Sequence, residues 1–153
     1  MKESVKKEVR QILDNYLETS HRRKTPERYA ILDTAYSIGG HFTLEQLETH
    51  LAEQKFFVCR ATLYNTLRLF IKLRLIVRHR LLDGTKYEAC YANSNHCHQV
   101  CTVCGKVTEI IAPDIIKAVD EARLKRFRKD GFSLYIYGIC SACQSKMMRK
   151  KTV

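Results

Sequence analysis

Residues 5–18 set Val5, Val9, Ile12, Leu13 and Tyr16 at helical steps among charged neighbours. That pattern predicts an amphipathic helix. In "SHRRKTPERYAILDTAYSIGG", Thr25 is placed to cap a second helix, Pro26 suits its first turn, and Gly39-Gly40 stops it. "FTLEQLETHLAEQ" opens on Thr43 with Gln46 three residues later, a capping box, and buries Leu44, Leu47 and Leu51. "CRATLYNTLRLFIKLRL" gives a fourth helix over residues 60–73, with Leu63, Leu67, Phe70 and Ile71 inward. In the next stretch, "LIVRHRLLDGTKYEACY", the period falls to two around Asp83-Gly84, which predicts a hairpin with Arg78 and Arg80 on one face.

Helices followed by a two-stranded hairpin outline a winged helix-turn-helix, with residues 60–73 as the recognition helix. On its polar face, Tyr64 and Asn65 are placed for base edges, Arg60 and Arg68 for phosphate or guanine, and Thr62 lies beside them. Arg78 and Arg80 add phosphate contacts from the wing.

Beyond residue 92 the texture changes. Short strands flank "CTVC", a helix is expected from Pro113-Asp114 to Gly131, and "FSLYIYGIC" reads as a strand. This β-α-β segment of about 60 residues is small enough to need a metal or a partner chain. The C-terminal "KMMRKKTV" is expected to be a frayed tail. The domains are therefore 1–91, with a hinge near 87–95, and 92–153.

Charge supports a polyanionic partner. Lys and Arg number 27 against 16 Asp and Glu, a net +11, and neither half owns the surplus: residues 1–90 hold 16 cations and 11 acids, residues 91–153 hold 11 and 5. No apolar run approaches the ~20 residues of a membrane span, and the N-terminus carries no apolar signal core. A cytoplasmic chain is expected.

Seven cysteines in a reducing compartment suggest metal ligands before disulfides. Cys101/Cys104 and Cys140/Cys143 form two Cys-x-x-Cys pairs, the pattern of a tetrahedral zinc site. Four thiolates leave no open position, which favours a structural zinc over a redox dithiol. His96 and His98 alternate about Cys97, so on a strand both imidazoles face one side and can share a second metal, while Cys97 faces away. Two solvated histidines are the plainer alternative. Further ligands must come from elsewhere, with Glu88, Cys90, Glu109 and His41 as candidates.

The stretches "RKTPERYAIL", "HFTLEQLETHL", "RATLYNTLRLF", "GTKYE", "HCHQVCTVCGKVTE" and "YIYGICSAC" occur in the order found in the ferric uptake regulator family, which the chain resembles from about residue 22 to 143. The resemblance implies an α+β chain: an N-terminal winged helix-turn-helix domain and a small C-terminal α/β dimerisation domain with a four-cysteine zinc site. It places Cys101, Cys104, Cys140 and Cys143 on the structural zinc, and His41, Glu88, His96, His98 and Glu109 on a regulatory metal. Arg23 falls near the minor groove and Tyr64 on the bases. Asn95 and Cys97 stand where some members have ligands of another site, and the last strand lacks a histidine, so that site is expected to be absent. One extra residue between Glu88 and His96 makes Cys90 a substitute ligand.

The implied function is a homodimeric, metal-responsive repressor that binds a double-stranded DNA operator and controls metal-uptake genes. It is not an enzyme and has no small-molecule substrate or membrane partner. Imidazoles with carboxylates favour Fe(II), and Mn(II) next; a thiolate ligand would favour Zn(II) and a zinc-uptake regulator. A peroxide-sensing regulator of the same family is a further alternative, although such members have aspartates where Glu88 and Glu109 stand. The remote alternative is a zinc-ribbon adaptor without metal switching.

Overall fold

Four helices pack their apolar stripes into one core. In this computed structural model, which describes residues 3–90, 97–129 and 131–151, they are α1 (Glu3–Thr19), α2 (Pro26–Ile38), α3 (Leu44–Glu53) and α4 (Arg60–Lys72). Val9, Leu13 and Leu17 of α1, Ile31 and Tyr36 of α2, Leu47 and Leu51 of α3, and Leu63, Leu67 and Phe70 of α4 share one core. Tyr36 is almost fully buried, and its hydroxyl donates to Leu75 O at 2.6 Å, which satisfies the one polar atom the ring brings inside. The capping box forms: Thr43 Oγ1 accepts from Gln46 N at 3.1 Å, and the Gln46 side chain accepts from Thr43 N at 2.8 Å. α4 stops where Arg74 turns into the left-handed region at φ 58° and Leu75 N donates back to Phe70 O.

The wing has one strand more than the hairpin expected. β1 (His41–Phe42), β2 (Ile76–Leu81) and β3 (Gly84–Ala89) form an antiparallel sheet in the order β1-β3-β2. Two residues are too few to show a period, so β1 was unreadable in the sequence. The two-residue connection is Leu82-Asp83, and Gly84 already pairs with Leu81. β3 runs to Ala89, with Tyr87 and Ala89 in the core, so positions 87–89 of the expected hinge are strand. Positions 91–96 lie outside the described residues.

The chain divides into two compact units, Met1–Asn93 and Ser94–Val153. In the second, β4 (Cys97–Cys101) lies between β5 (Val107–Ile110), antiparallel, and β6 (Leu134–Gly138), parallel, with α5 (Pro113–Glu121) in the crossover. α5 ends well before the expected Gly131. Past Glu121 come Arg123, Lys125, Arg126, Arg128 and Lys129, whose like charges would crowd a continued helix. Leu124 and Phe127 are exposed at 48% and 68%, so no burial offsets that repulsion. Instead Lys129 turns back and its ammonium donates to the carbonyls of Val119 and Asp120, capping the helix. The C-terminus also differs from expectation: α6 (Ser141–Lys150) is a helix whose first turn buries Cys143, with Gln144 N donating to Cys140 O at 2.9 Å. Among the described residues no helix is long and apolar enough to cross a membrane.

Candidate metal centres and nucleic-acid interface

The sulfur cluster assembles from two backbone turns. Cys101 ends β4 and Cys104 follows in the knuckle, closed by Gly105 N donating to Cys101 O at 2.9 Å with Gly105 at φ 73°. Cys140 and Cys143 sit at the start of α6. All four Sγ atoms lie within 4.8 Å of one another, and Cys104 and Cys140 are 3.8 Å apart. A tetrahedron of Zn–S bonds near 2.3 Å has sulfur edges of ~3.8 Å, so the donor set fits zinc. Backbone N–H groups of Cys140 and Cys104 stabilise the Cys101 thiolate and bring its pKa down to about 6, the Cys140 N–H lying 3.3 Å from Cys101 Sγ. Hydrogen bonding to Cys140 pushes Cys143 up to about 12, so it holds a proton among the other sulfurs. A divalent ion would supply the charge that lets all four ionise.

The second cluster comes from strand register in the winged-helix unit. His41 of β1 pairs with Glu88 of β3, and Glu88 pairs with Val77 of β2. His79, two residues beyond Val77, projects from the same face. His79 Nε2 lies 2.9 Å from Glu88 Oε2, and His41 Nε2 lies 3.6 Å from the same oxygen. The two rings meet edge to face with centroids 4.9 Å apart. Glu88 is 3% exposed and His79 1%. A buried carboxylate is costly unless cations or donors surround it, and two imidazoles with a carboxylate are a donor set that divalent iron, manganese or zinc accepts.

Sequence reasoning missed His79. The available signal was the alternation in Arg78-His79-Arg80, which turns the histidine inward whenever the arginines turn out, but its match to Glu88 depends on the pairing of three strands. Cys90, the candidate substitute, stands outside this cluster. Its thiol donates to Arg74 O at 3.0 Å, and burial pushes its pKa up to about 11.

The remaining candidates belong to the second unit. His98 is buried on β4, stacks on Tyr135 with centroids 5.3 Å apart, and pairs across the ladder with Glu109, which is exposed. Cys97 is buried on the opposite face of β4. His96 lies outside the described residues.

On the outer face of α4, Tyr64 is 48% exposed, and Thr62, Asn65 and Arg68 are exposed with it. Arg78 and Arg80 are exposed on β2, and Arg23 is exposed between α1 and α2. Arg60, also on the first turn of α4, is held by acids of α3. Its guanidinium donates to Glu48 at 3.1 and 3.2 Å and to Glu45 at 3.2 Å, which ties the first turn of α4 to α3. At the end of α4 nearest this face, Cys59 is exposed and its pKa is lowered, first by the Thr62 hydroxyl at 3.2 Å. In zinc-loaded protein at pH 7.5, iodoacetamide is therefore expected to label Cys59 well before Cys90, as peptide mass mapping over time would show; faster labelling of Cys90 would contradict these environments.

The profile of the ferric uptake regulator family matches residues 19–137. The chain belongs to that family. The ferric uptake regulation protein of Neisseria meningitidis is 32% identical over 135 residues, covering 87% of this chain and 94% of that one. The peroxide operon regulator of Bacillus subtilis is 29% identical over 141 residues, covering 91% and 95%. Among solved structures, the ferric uptake regulator of Pseudomonas aeruginosa with manganese superposes with a TM-score of 0.69 at 26% identity, covering 84% of this chain and 97% of that one. Membership makes the chain a metal-responsive, DNA-binding regulator with a winged helix-turn-helix fold and a four-cysteine cluster in its second unit.

Proposed function

We propose that the chain is an iron-responsive repressor of metal-uptake genes that acts in the cytoplasm as a homodimer on a DNA operator. The observation that carries this reading is the convergence of His41, His79 and Glu88 inside the DNA-binding unit, on the opposite sheet face from Phe42 and Tyr87, which pack in the core. In this reading the regulatory ion is held by His41 and Glu88, with His79 beside them, together with His96, His98 and Glu109 of the second unit. A divalent ion would supply the positive charge these donors need in order to share one site. An ion shared by donors of both units would set the angle between them. In a dimer that angle sets the spacing of the two α4 helices, which must match half-sites about one DNA turn apart.

Iron is favoured over zinc because Glu88 faces the cluster while the Cys90 thiol is occupied by Arg74 O. Cys101, Cys104, Cys140 and Cys143 hold a separate structural zinc, and Tyr64, Thr62, Asn65, Arg68, Arg23, Arg78 and Arg80 contact DNA. The dimer supplies what unit 2 lacks: α5 has no fully buried residue, although Ile115, Ile116 and Val119 line one of its faces.

Anaerobic operator titrations with Fe(II), Mn(II) and Zn(II) test the reading. Iron is expected to tighten binding most, and zinc alone activating would move the assignment to a zinc-uptake regulator. Arg78→Ala and Arg80→Ala are each expected to weaken all DNA sequences alike and to reduce the slope of log K against log salt by about 0.9. An unchanged slope in both would remove the wing from the interface.

A further inference from the structure

Phe57 is 84% exposed, an unusual position for a phenylalanine in a short turn between two packed helices. It stands three residues before the first residue of α4. With Val58, Cys59, Thr62 and Asn65 it lines an open groove of about 480 Å³ that Arg22, Arg28 and Glu27 also line. The Arg22 guanidinium lies over the Tyr16 ring at 6.0 Å, and the Arg28 guanidinium donates to the Arg23 carbonyl.

We infer that Phe57 reads a thymine 5-methyl group in the major groove at the edge of each operator half-site. The inference rests on the reading of α4 as the recognition helix. A recognition helix enters the major groove by its N-terminal end, so the residues just before it face base edges too. Thymine is the base that offers an apolar group there, and apolar side chains contact that methyl. The groove is continuous with Thr62 and Asn65 of the base-reading face, and its arginines complement flanking phosphates. Two arginines against one carboxylate leave the groove with a cationic excess, which suits a base edge flanked by phosphates. Packing one methyl against the ring removes it from water, worth roughly a fourfold change in affinity for each half-site and about fifteenfold for two.

The test uses metal-loaded full-length dimer and a duplex selected by that dimer from a random pool. Each thymine is replaced in turn by deoxyuridine, which lacks only the methyl, and affinity is read by fluorescence anisotropy. Wild type is expected to lose roughly fourfold at one symmetric position in each half-site. Phe57→Ala and Phe57→Ser are expected to bind the thymine and uracil duplexes equally at that position, yet keep the wild-type response at any thymine read by Tyr64. Because Phe57 is exposed, both variants should melt at the wild-type temperature, and circular dichroism checks this. The inference is overturned if both variants keep the full wild-type uracil profile, or if they lose affinity equally for every sequence, which would make Phe57 a backbone contact. If wild type selects no duplex with metal bound, the recognition reading itself fails.

Discussion

Cys140→Ser is expected to release the structural zinc, unfold the second unit and dissociate the dimer, while the first unit stays folded. In the second unit, the buried residues among those described are Cys97, His98, Val100, Cys101 and Cys143, and α5 contributes none. A core this thin cannot offset the ordering entropy of about 60 residues. The apparent folding contribution of a structural zinc, on the order of 10 kcal/mol, is comparable to the whole stability of a small domain. Three thiolates and a hydroxyl hold the ion far less tightly. The first unit has its own core from Val9 to Ala89 and no share in the sulfur cluster. Zinc analysis, sedimentation and amide NMR would show about one zinc lost per chain, monomers, and preserved signals for α1 to α4. A folded, dimeric Cys140→Ser protein would show that the sulfurs are not what stabilises this unit.

His41→Ala is expected to abolish the response to the regulatory metal without unfolding the chain. Wild type should gain roughly a hundredfold in operator affinity on metal loading, which corresponds to about 2.7 kcal/mol of coupling. The variant should bind in both states at the weak metal-free level. His41 is only partly buried, on a two-residue strand, so its truncation leaves the winged-helix core intact. His98→Ala should lose the same response from the other unit. Coupling of this kind requires that the metal bind the two arrangements of the units differently, so removing donors from either side should be equally damaging. Retained metal dependence in both variants would eliminate the proposed ligand set.

The parts of this design that rest on local spacing were readable in the sequence. Leu63, Leu67 and Phe70 announce α4, Thr43 and Gln46 announce the start of α3, and two Cys-x-x-Cys pairs announce a tetrahedral sulfur site. The parts that rest on register or competition were not. His79 gains meaning only when β2 and β1 both pair with β3 and bring two imidazoles to one carboxylate. That Glu45 and Glu48 reach the Arg60 guanidinium depends on how α3 sits beside α4. The end of α5 depends on a balance between like-charge repulsion after Glu121 and burial that Leu124 and Phe127 do not find. Cys90 shares a strand parity with Glu88 in the sequence, but the chain leaves β3 at Ala89 and the thiol turns to Arg74 O instead.

The central claim is that one reversible ion, distinct from the sulfur-bound zinc, controls the grip on DNA. The most direct measurement is operator affinity of the zinc-loaded dimer with and without Fe(II), under anaerobic conditions at fixed salt, for wild type and His41→Ala side by side. The account predicts roughly hundredfold tightening for wild type and none for the variant. Equal affinity of wild-type protein in the two states, with its zinc intact, would contradict it.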